Sequence, residues 1–440
     1  MSAQQEGFAE VVVGAVARTT WAWRVELAML AVVAVMAGAA YDQLGPPWHV
    51  VAVIGVGLPF GSVRVLRRFL VRLLRRSHVR RTWLAAVRRL DIASFQERLP
   101  VVSRVREVPA GYRLEARVPP RGCVDDLVKV AERIAADLGA RDVRVRRFAE
   151  DAGRAEVVVV RRDPLAAPQP LRWPLATAGR TSLWRPVPVG VDEDGRTVSM
   201  SLPEHNLLLG GEPGAGKSAS LSLLTAAAAL DPTVKLWLLD GKLVELATWA
   251  GCAEHSVGAN VADAVDVLRT LQVDMGARYA QLLAQRRRKV GPDDGVPLHV
   301  VVCDELAMYL TVGDRKERTE FAEVLRDLVA RGRAAGVIVL AATQKPATDI
   351  VPSSLRDLFG FRWALRCATR DASDTILGAG WATLGYSAAG IDAGLRGVGY
   401  LLHEGGEPTR LRSFWLDDDS LFAVADRAEA VRRQAAEDGE

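Results

Sequence analysis

His205-Asn206-Leu207-Leu208-Leu209-Gly210 runs into Gly211-Glu212-Pro213-Gly214-Ala215-Gly216-Lys217-Ser218-Ala219, and this stretch decides the fold. His205–Leu209 reads as a short apolar strand and Ser218–Leu230 as a helix, with a complete G-x-x-x-x-G-K-S between them. The order has a physical reason. Glycines let the backbone bend until its N–H groups point at phosphate oxygens, and the helix N-terminus adds positive potential. Lys217 is placed to reach the β- and γ-phosphates, and the Ser218 hydroxyl to hold Mg²⁺. The predicted phosphate-binding residues are therefore Gly211, Glu212, Pro213, Gly214, Ala215, Gly216, Lys217, Ser218 and Ala219. ATP and Mg²⁺ are the expected cofactors.

The other half of the site lies downstream. Val300-Val301-Val302-Cys303 is a β-branched strand that ends in Asp304-Glu305. On a strand adjacent to the loop, Asp304 would hold the Mg²⁺ shell and Glu305 would polarise the attacking water. The plainer reading is that Glu305 caps the next helix. Val337–Ala341 is another apolar strand, followed by Ala342-Thr343-Gln344, which puts Gln344 beside the γ-phosphate as a sensor of hydrolysis. Leu236–Leu239 with Asp240-Gly241-Lys242 is a fourth such strand, or an ordinary strand-to-loop turn. Strands alternating with Ala-rich helices from about residue 185 predict an α/β domain with a parallel sheet, and with the loop and its acidic partners it resembles a RecA-like motor domain.

Upstream the character changes. The chain has 440 residues and is 49% hydrophobic, with a mean hydropathy of +0.09, too long for one ordinary domain and apolar enough to suggest a membrane segment. Leu27–Tyr41 is uncharged, and 43–63 is free of charge apart from His49. A spanning helix needs ~20 apolar residues, so the two read as a transmembrane hairpin over residues 21–66, turning at Asp42 and Pro46-Pro47. Ala37-Gly38-Ala39 offers the alternative of a cleaved signal peptide. Residues 61–90 hold ten arginines and no acid, while the formal charge of the whole chain is only +4. The basic pI is thus local, and an arginine cluster directly after an apolar segment keeps that end cytoplasmic. The expectation is a cell-membrane protein with its motor on the cytoplasmic side. The four cysteines (123, 252, 303, 367) have no metal or redox spacing, as in a reduced compartment.

The predicted order is a cytosolic N-terminal segment (1–20), the hairpin (21–66), a basic juxtamembrane helix and linker (67–110), a small α+β module (111–165), a Pro-rich linker (166–184), the motor (185–416) and a charged C-terminal helix (417–440). Tyr112–Val118, Val143–Arg147 and Glu156–Arg161 read as the module's strands and Cys123–Leu138 as its helix. The module holds no chemical constellation, and a role in spacing or self-association is expected.

These motifs resemble the FtsK/SpoIIIE family of DNA-pumping motors over roughly residues 185–415. The resemblance rests on Pro186-Val187-Pro188-Val189-Gly190, Leu239-Asp240-Gly241-Lys242 with Glu245-Leu246, Asp304-Glu305-Leu306-Ala307, Arg331-Gly332-Arg333-Ala334-Ala335-Gly336, Ala342-Thr343-Gln344-Lys345-Pro346, Asp374-Thr375-Ile376-Leu377 and Gly397-Val398-Gly399-Tyr400. A membrane hairpin ahead of a single motor is similar to the plasmid-transfer members of actinobacteria. The resemblance implies DNA-stimulated ATP hydrolysis, a homo-hexameric ring around double-stranded DNA, and a trans-acting arginine best matched by Arg333, with Arg331 second. Catalytic roles then fall to Glu305, Lys217, Arg333 and Gln344. DNA contact falls to Arg315, Lys316 and Lys345 on the pore-lining segments. Arg286-Arg287-Arg288-Lys289, a second basic run, reads as a solvated face.

The sequence departs from the family in two places. Gly241 stands where the family usually has proline. Only residues 417–440 follow Leu416, too few for the winged helix of the larger members, so separate DNA-loading or transfer partner proteins are expected. Three alternatives remain open: a coupling ATPase of a type VII-like secretion system, a chromosome-segregation translocase, and a non-hydrolysing NTP-bound scaffold.

Overall fold

The computed structural model describes residues 64–90, 98–120, 122–148, 150–344 and 350–438, with three isolated positions before them (35, 39 and 42). The predicted hairpin lies almost wholly outside the described residues. Among those described, no helix is long and apolar enough to cross a membrane. The chain divides into two compact units, Met1–Asp163 and Pro164–Glu440.

In the first unit, helix α1 (Arg64–Arg89) precedes β1 (Val101–Val108) and β2 (Gly111–Arg117). Two short helices, α2 (Val124–Lys129) and α3 (Ala131–Asp137), lead to β3 (Asp142–Phe148) and β4 (Asp151–Val160). The four strands form an antiparallel sheet in the order β1-β2-β4-β3. Val79, Trp83, Ala86 and Val87 of α1 share a buried cluster with Leu114, Leu127, Ile134 and Val157. Two expectations are corrected here. Residues 101–108, read as linker, form a strand; the run VVSRVREV alternates arginine with valine, and the arginines hid its period of two. The amphipathic helix over 123–138 is two helices, interrupted at Val130.

The second unit opens with β5 (Val187–Asp192), β6 (Thr197–Met200), β7 (Leu207–Gly210) and helix α4 (Lys217–Ala229). β8 (Lys235–Leu239), β9 (Ala253–Val257), α5 (Val261–Ala284), β10 (His299–Cys303), α6 (Leu306–Thr311), α7 (Arg315–Ala335) and β11 (Val337–Thr343) follow. α8 (Ser353–Arg356), β12 (Phe361–Leu365), α9 (Arg370–Leu377), β13 (Val398–His403), β14 (Thr409–Ser413) and α10 (Asp418–Glu437) complete it. Ten described strands make one sheet, β6-β5-β14-β13-β12-β7-β11-β10-β8-β9. The six from β12 to β9 are parallel. The four on the other flank are antiparallel. The sheet is therefore mixed, where the sequence predicted a parallel one. Short connections within 187–200 and 398–413 permit hairpins, which return the chain antiparallel.

Alternate strand residues bury into opposite layers. Val300 and Val302 of β10 join one cluster with residues of α4 and α10, while Val301 and Cys303 join another with residues of α5 and α7. Such two-sided burial is what helices on both faces of a sheet demand. It also explains two segments whose composition misled. The Pro-rich stretch over 166–184 buries Trp173 and Leu183 in the first of these clusters, so it is part of the second unit's packing. The charged terminal helix α10 contributes Val424, Ala425 and Ala428 to the same cluster. Arg432 of α10 donates to the carbonyls of Ala228 and Ala229 at the end of α4 and of Asp231 and Val234 in the turn after it. That satisfies carbonyls which a helix C-terminus leaves without partners.

Candidate nucleotide site

Strands β7, β8, β10 and β11 are neighbours and parallel, so their C-terminal ends open on one edge of the sheet. In open α/β sheets ligands bind outside that edge. β7 ends at Gly210 and the loop follows. Gly214 and Gly216 adopt left-handed backbone, with φ of 76° and 103°, which disfavours any side chain. At Gly216 a Cβ would also stand 2.8 Å from the Gly397 nitrogen. The loop is braced from behind, since Gly397 N–H donates to the Ala215 carbonyl (2.9 Å) and Glu212 N–H to the Arg366 carbonyl (2.9 Å). The Glu212 carboxylate pairs with Arg366 at 2.6 Å. Pro213 and Gly214 are exposed, and Ala215 and Lys217 are buried.

Lys217 is the first residue of α4. Its Nζ donates to the Asp304 carbonyl and to Glu305 Oε2, each at 3.2 Å. Burial pulls the Lys217 pKa below the usual lysine value, and the Glu305 carboxylate beside it opposes that shift. Glu305 is the N-cap residue of α6 but makes no capping bond with its side chain. Its carboxylate instead accepts from the Thr343 hydroxyl (3.0 Å) and from the Gln344 N–H (3.0 Å). The helix-cap reading of Glu305 is thereby set aside. Lys242 Nζ lies 4.0 Å from the same carboxylate.

Asp304 is buried, with Oδ1 accepting from Gly241 N–H at 2.9 Å. Its Oδ2 is buried with no hydrogen-bond partner among the described residues. Burial raises the Asp304 pKa to about 6, and the Gly241 bond restrains the rise. A buried carboxylate oxygen left without a donor calls for a cation. Ser218, Glu245, Lys242 and Lys217 line the same cleft. One carboxylate and one hydroxyl are the hard-oxygen donors from which Mg²⁺ takes a few ligands, leaving room for water and phosphate. The residues fit that ion.

The structure thus brings together Lys217, Ser218, Asp304, Glu305 and Gln344, the last through its backbone amide. It adds Thr343 and Lys242 to them. Their signal was their position: each stands at or just past the end of a strand neighbouring β7 or β10 in a parallel sheet. Arg333 is elsewhere. It sits within the last turn of α7, which runs to Ala335, and its Nη2 pairs with Glu404 at 2.8 Å. Glu404 follows β13, whose end pairs with Phe361, and Phe361 pairs with Leu207 at the start of β7. Arg333 therefore lies at the opposite edge of the sheet from Lys217. Arg315 and Lys316, read as loop residues, form the exposed first turn of α7 after Asp314. Lys345 lies outside the described residues.

Residues 175–376 match the FtsK/SpoIIIE family. A DNA translocase FtsK of Staphylococcus epidermidis is 27% identical over 348 residues, 73% of this chain. This chain spans 42% of that relative's length. Among solved structures, the pCW3 conjugation coupling protein TcpA, in a monomer form with ATPγS, superposes with a TM-score of 0.51 at 15% identity. The match covers 80% of this chain and 99% of TcpA. EssC of Geobacillus thermodenitrificans (ATPases 2 and 3) gives a TM-score of 0.50 at 13% identity, over 61% of this chain and 52% of that one. Both likenesses concern the fold, a mixed-sheet α/β domain.

Proposed function

We propose that this chain is a membrane-anchored, Mg²⁺-dependent ATPase that moves double-stranded DNA as a homo-hexamer. We place it in conjugative transfer of a plasmid or integrative element, with its motor on the cytoplasmic side of the cell membrane. The observation that carries the reading is the convergence of Lys217, Asp304 and Glu305 at one sheet edge. The DNA translocase name of the curated relatives supports the substrate class. A single motor after two apolar segments and an arginine cluster supports the anchoring and the transfer role.

The chemistry divides among the residues as follows. The amides of 211–218 and Lys217 hold the phosphate chain. Ser218 and Asp304 Oδ2 would hold the Mg²⁺, which when bound would supply charge neutralisation for the phosphates. Glu305, fixed by Thr343 and the Gln344 amide, orients a water and takes up its proton as that water attacks the γ-phosphorus and the β–γ bridging oxygen leaves with ADP. Lys242 stands within ion-pair reach of the same carboxylate.

The test is the ATPase rate of the full chain in membrane mimics, with and without duplex DNA of unrelated sequences. Stimulation by any duplex, with affinity falling steeply as salt rises, is the expected result, because phosphate contacts carry no sequence. Turnover raised only by a peptide would move the protein to the secretion ATPases, and no turnover would make it a scaffold.

A further inference from the structure

The antiparallel sheet of the first unit has one face covered and one face charged. Leu114, Val143, Val157 and Val159 lie in the cluster shared with α1, α2 and α3. The cross-strand register defines the other face. Arg106, Arg113 and Arg144 share one row with Val158. Arg104 and Arg146 flank Glu115 and Glu156 in the next row, and Arg117 faces Arg154 in the third. Asp142, opposite Val160, is a further acid on this face. Seven arginines and three carboxylates stand on the described face, and Arg104, Arg106 and Arg117 among them are exposed.

We propose that this face is a docking surface for the phosphate backbone of duplex DNA, outside the motor. The geometry favours it. Residues two apart on a strand are about 7 Å apart and strands are about 4.8 Å apart, so the rows form a raster of cations across the sheet. The acids hold the guanidiniums in place: Glu115 pairs with both Arg104 and Arg154 at 3.5 Å, and Glu156 with Arg113 at 3.4 Å. Arg154 also lies over the Phe148 ring, 4.8 Å from its centroid. Val158, buried in its row, is flanked by Arg113 and Arg144, as long stems cover apolar surface while their heads stay wet. An array of forked donors suits phosphate. Single-stranded nucleic acid is read through exposed aromatic platforms, and here Phe148 is already covered by Arg154. A membrane interface is entered by clusters of projecting apolar side chains; on this face Val158 and Val160 are buried, Val108 is half-buried, and Val101, beside Arg117, is the one exposed valine among the described residues.

The proposal rests on duplex DNA being the substrate, and the experiment separates the two ideas. Arg104, Arg106 and Arg117 are exposed and outside the nucleotide site. A triple Arg104→Gln, Arg106→Gln, Arg117→Gln variant of the full chain keeps its DNA-independent ATPase rate. Its affinity for a random-sequence duplex, read by fluorescence anisotropy, falls by roughly tenfold or more at low salt, and the slope of log K against log salt flattens by about three, one for each phosphate no longer neutralised. The corresponding triple lysine variant restores most of both, which also shows that the glutamine set did not act by unfolding. Unchanged affinity and slope in the glutamine variant, with wild-type protein binding duplex, overturn the docking surface alone. Wild-type protein that binds no duplex overturns this surface and the proposed substrate together. Loss of binding to anionic vesicles with duplex binding intact assigns the face to the membrane instead and also overturns it.

Discussion

The two ends of the same parallel strands are built on opposite principles. At the C-terminal edge Lys217 and Asp304 line one cleft, Glu305 beside it accepts from Lys217 and Thr343, and Asp304 Oδ2 is buried without a partner among the described residues. At the N-terminal edge the polar groups close on one another. Asn206 donates to the Val329 carbonyl and accepts from Val339 N–H. Trp237 donates to His299 Nδ1, and Arg278 binds the carbonyls of Pro297 and Ala335. Buried polar groups without partners cost stability, so an edge that tolerates one is shaped for a ligand, and an edge that satisfies all of them is shaped for rigidity.

The comparison is broken most directly at the cleft. Lys217→Ala should lower ATP turnover by at least about 10²-fold, the scale of losing one preorganised charge-stabilising group. Glu305→Gln should keep nucleotide affinity, since glutamine fills the same space, while turnover collapses. Nucleotide binding by equilibrium dialysis beside steady-state hydrolysis separates the two. Normal turnover in Glu305→Gln would remove Glu305 from the chemistry and leave it as a strut for Lys217 and Thr343.

Arg333 sharpens the comparison because it stands at the closed edge yet has been assigned a catalytic role. Within its own chain the Glu404 pair occupies it. If a neighbouring subunit receives it, Arg333→Ala should bind ATP normally and hydrolyse it on the order of 10³-fold more slowly. Mixing Arg333→Ala with Lys217→Ala chains should then restore basal turnover, because some interfaces pair an intact loop with an intact arginine. A loss of only a few-fold, matched by Glu404→Ala, would make Arg333 an anchor of the β13–β14 turn and nothing more.

The open edge was readable in the sequence and the closed edge was not, for a physical reason. Phosphate binding forces glycines and a lysine into a fixed local spacing, and buried parallel strands are continuous apolar runs. The acids at 304 and 305 stand at the end of such a run, so their chemistry was visible in one dimension. Thr343 and Lys242 acquire their roles only once β8, β10 and β11 are aligned in register. The antiparallel flank escaped because its strands carry Pro188 and Gly190, or Arg410 and Arg412, and do not look apolar. Trp173 and Arg432 escaped because packing and helix-end capping join residues far apart in the chain.

The smallest expected effect tests the closed edge by pH. His299 is 2% exposed, and its Nδ1 accepts from the Trp237 indole at 2.8 Å. Every charged group facing it matters. Arg278, above all, opposes a positive imidazole, Lys235 does so weakly, and Asp274, 2.7 Å from Nε2, favours it. Burial is the largest influence, and the result is a pKa lowered from 6.5 to about 4. A histidine whose folded pKa is depressed stays neutral in the native state while the unfolded chain takes up a proton. Stability from this group is therefore complete above about pH 6.5 and declines as pH falls toward 4. Denaturant titrations of the full chain at pH 7.5 and 5 should show the loss, and His299→Asn, which cannot be protonated, should lose less between the same two values. The steeper decline belongs to the wild type if the closed edge is a neutral, mutually satisfied network. Equal slopes in both proteins would mean that Asp274 offsets the burial, and that this end of the sheet carries a charge pair as the other end does.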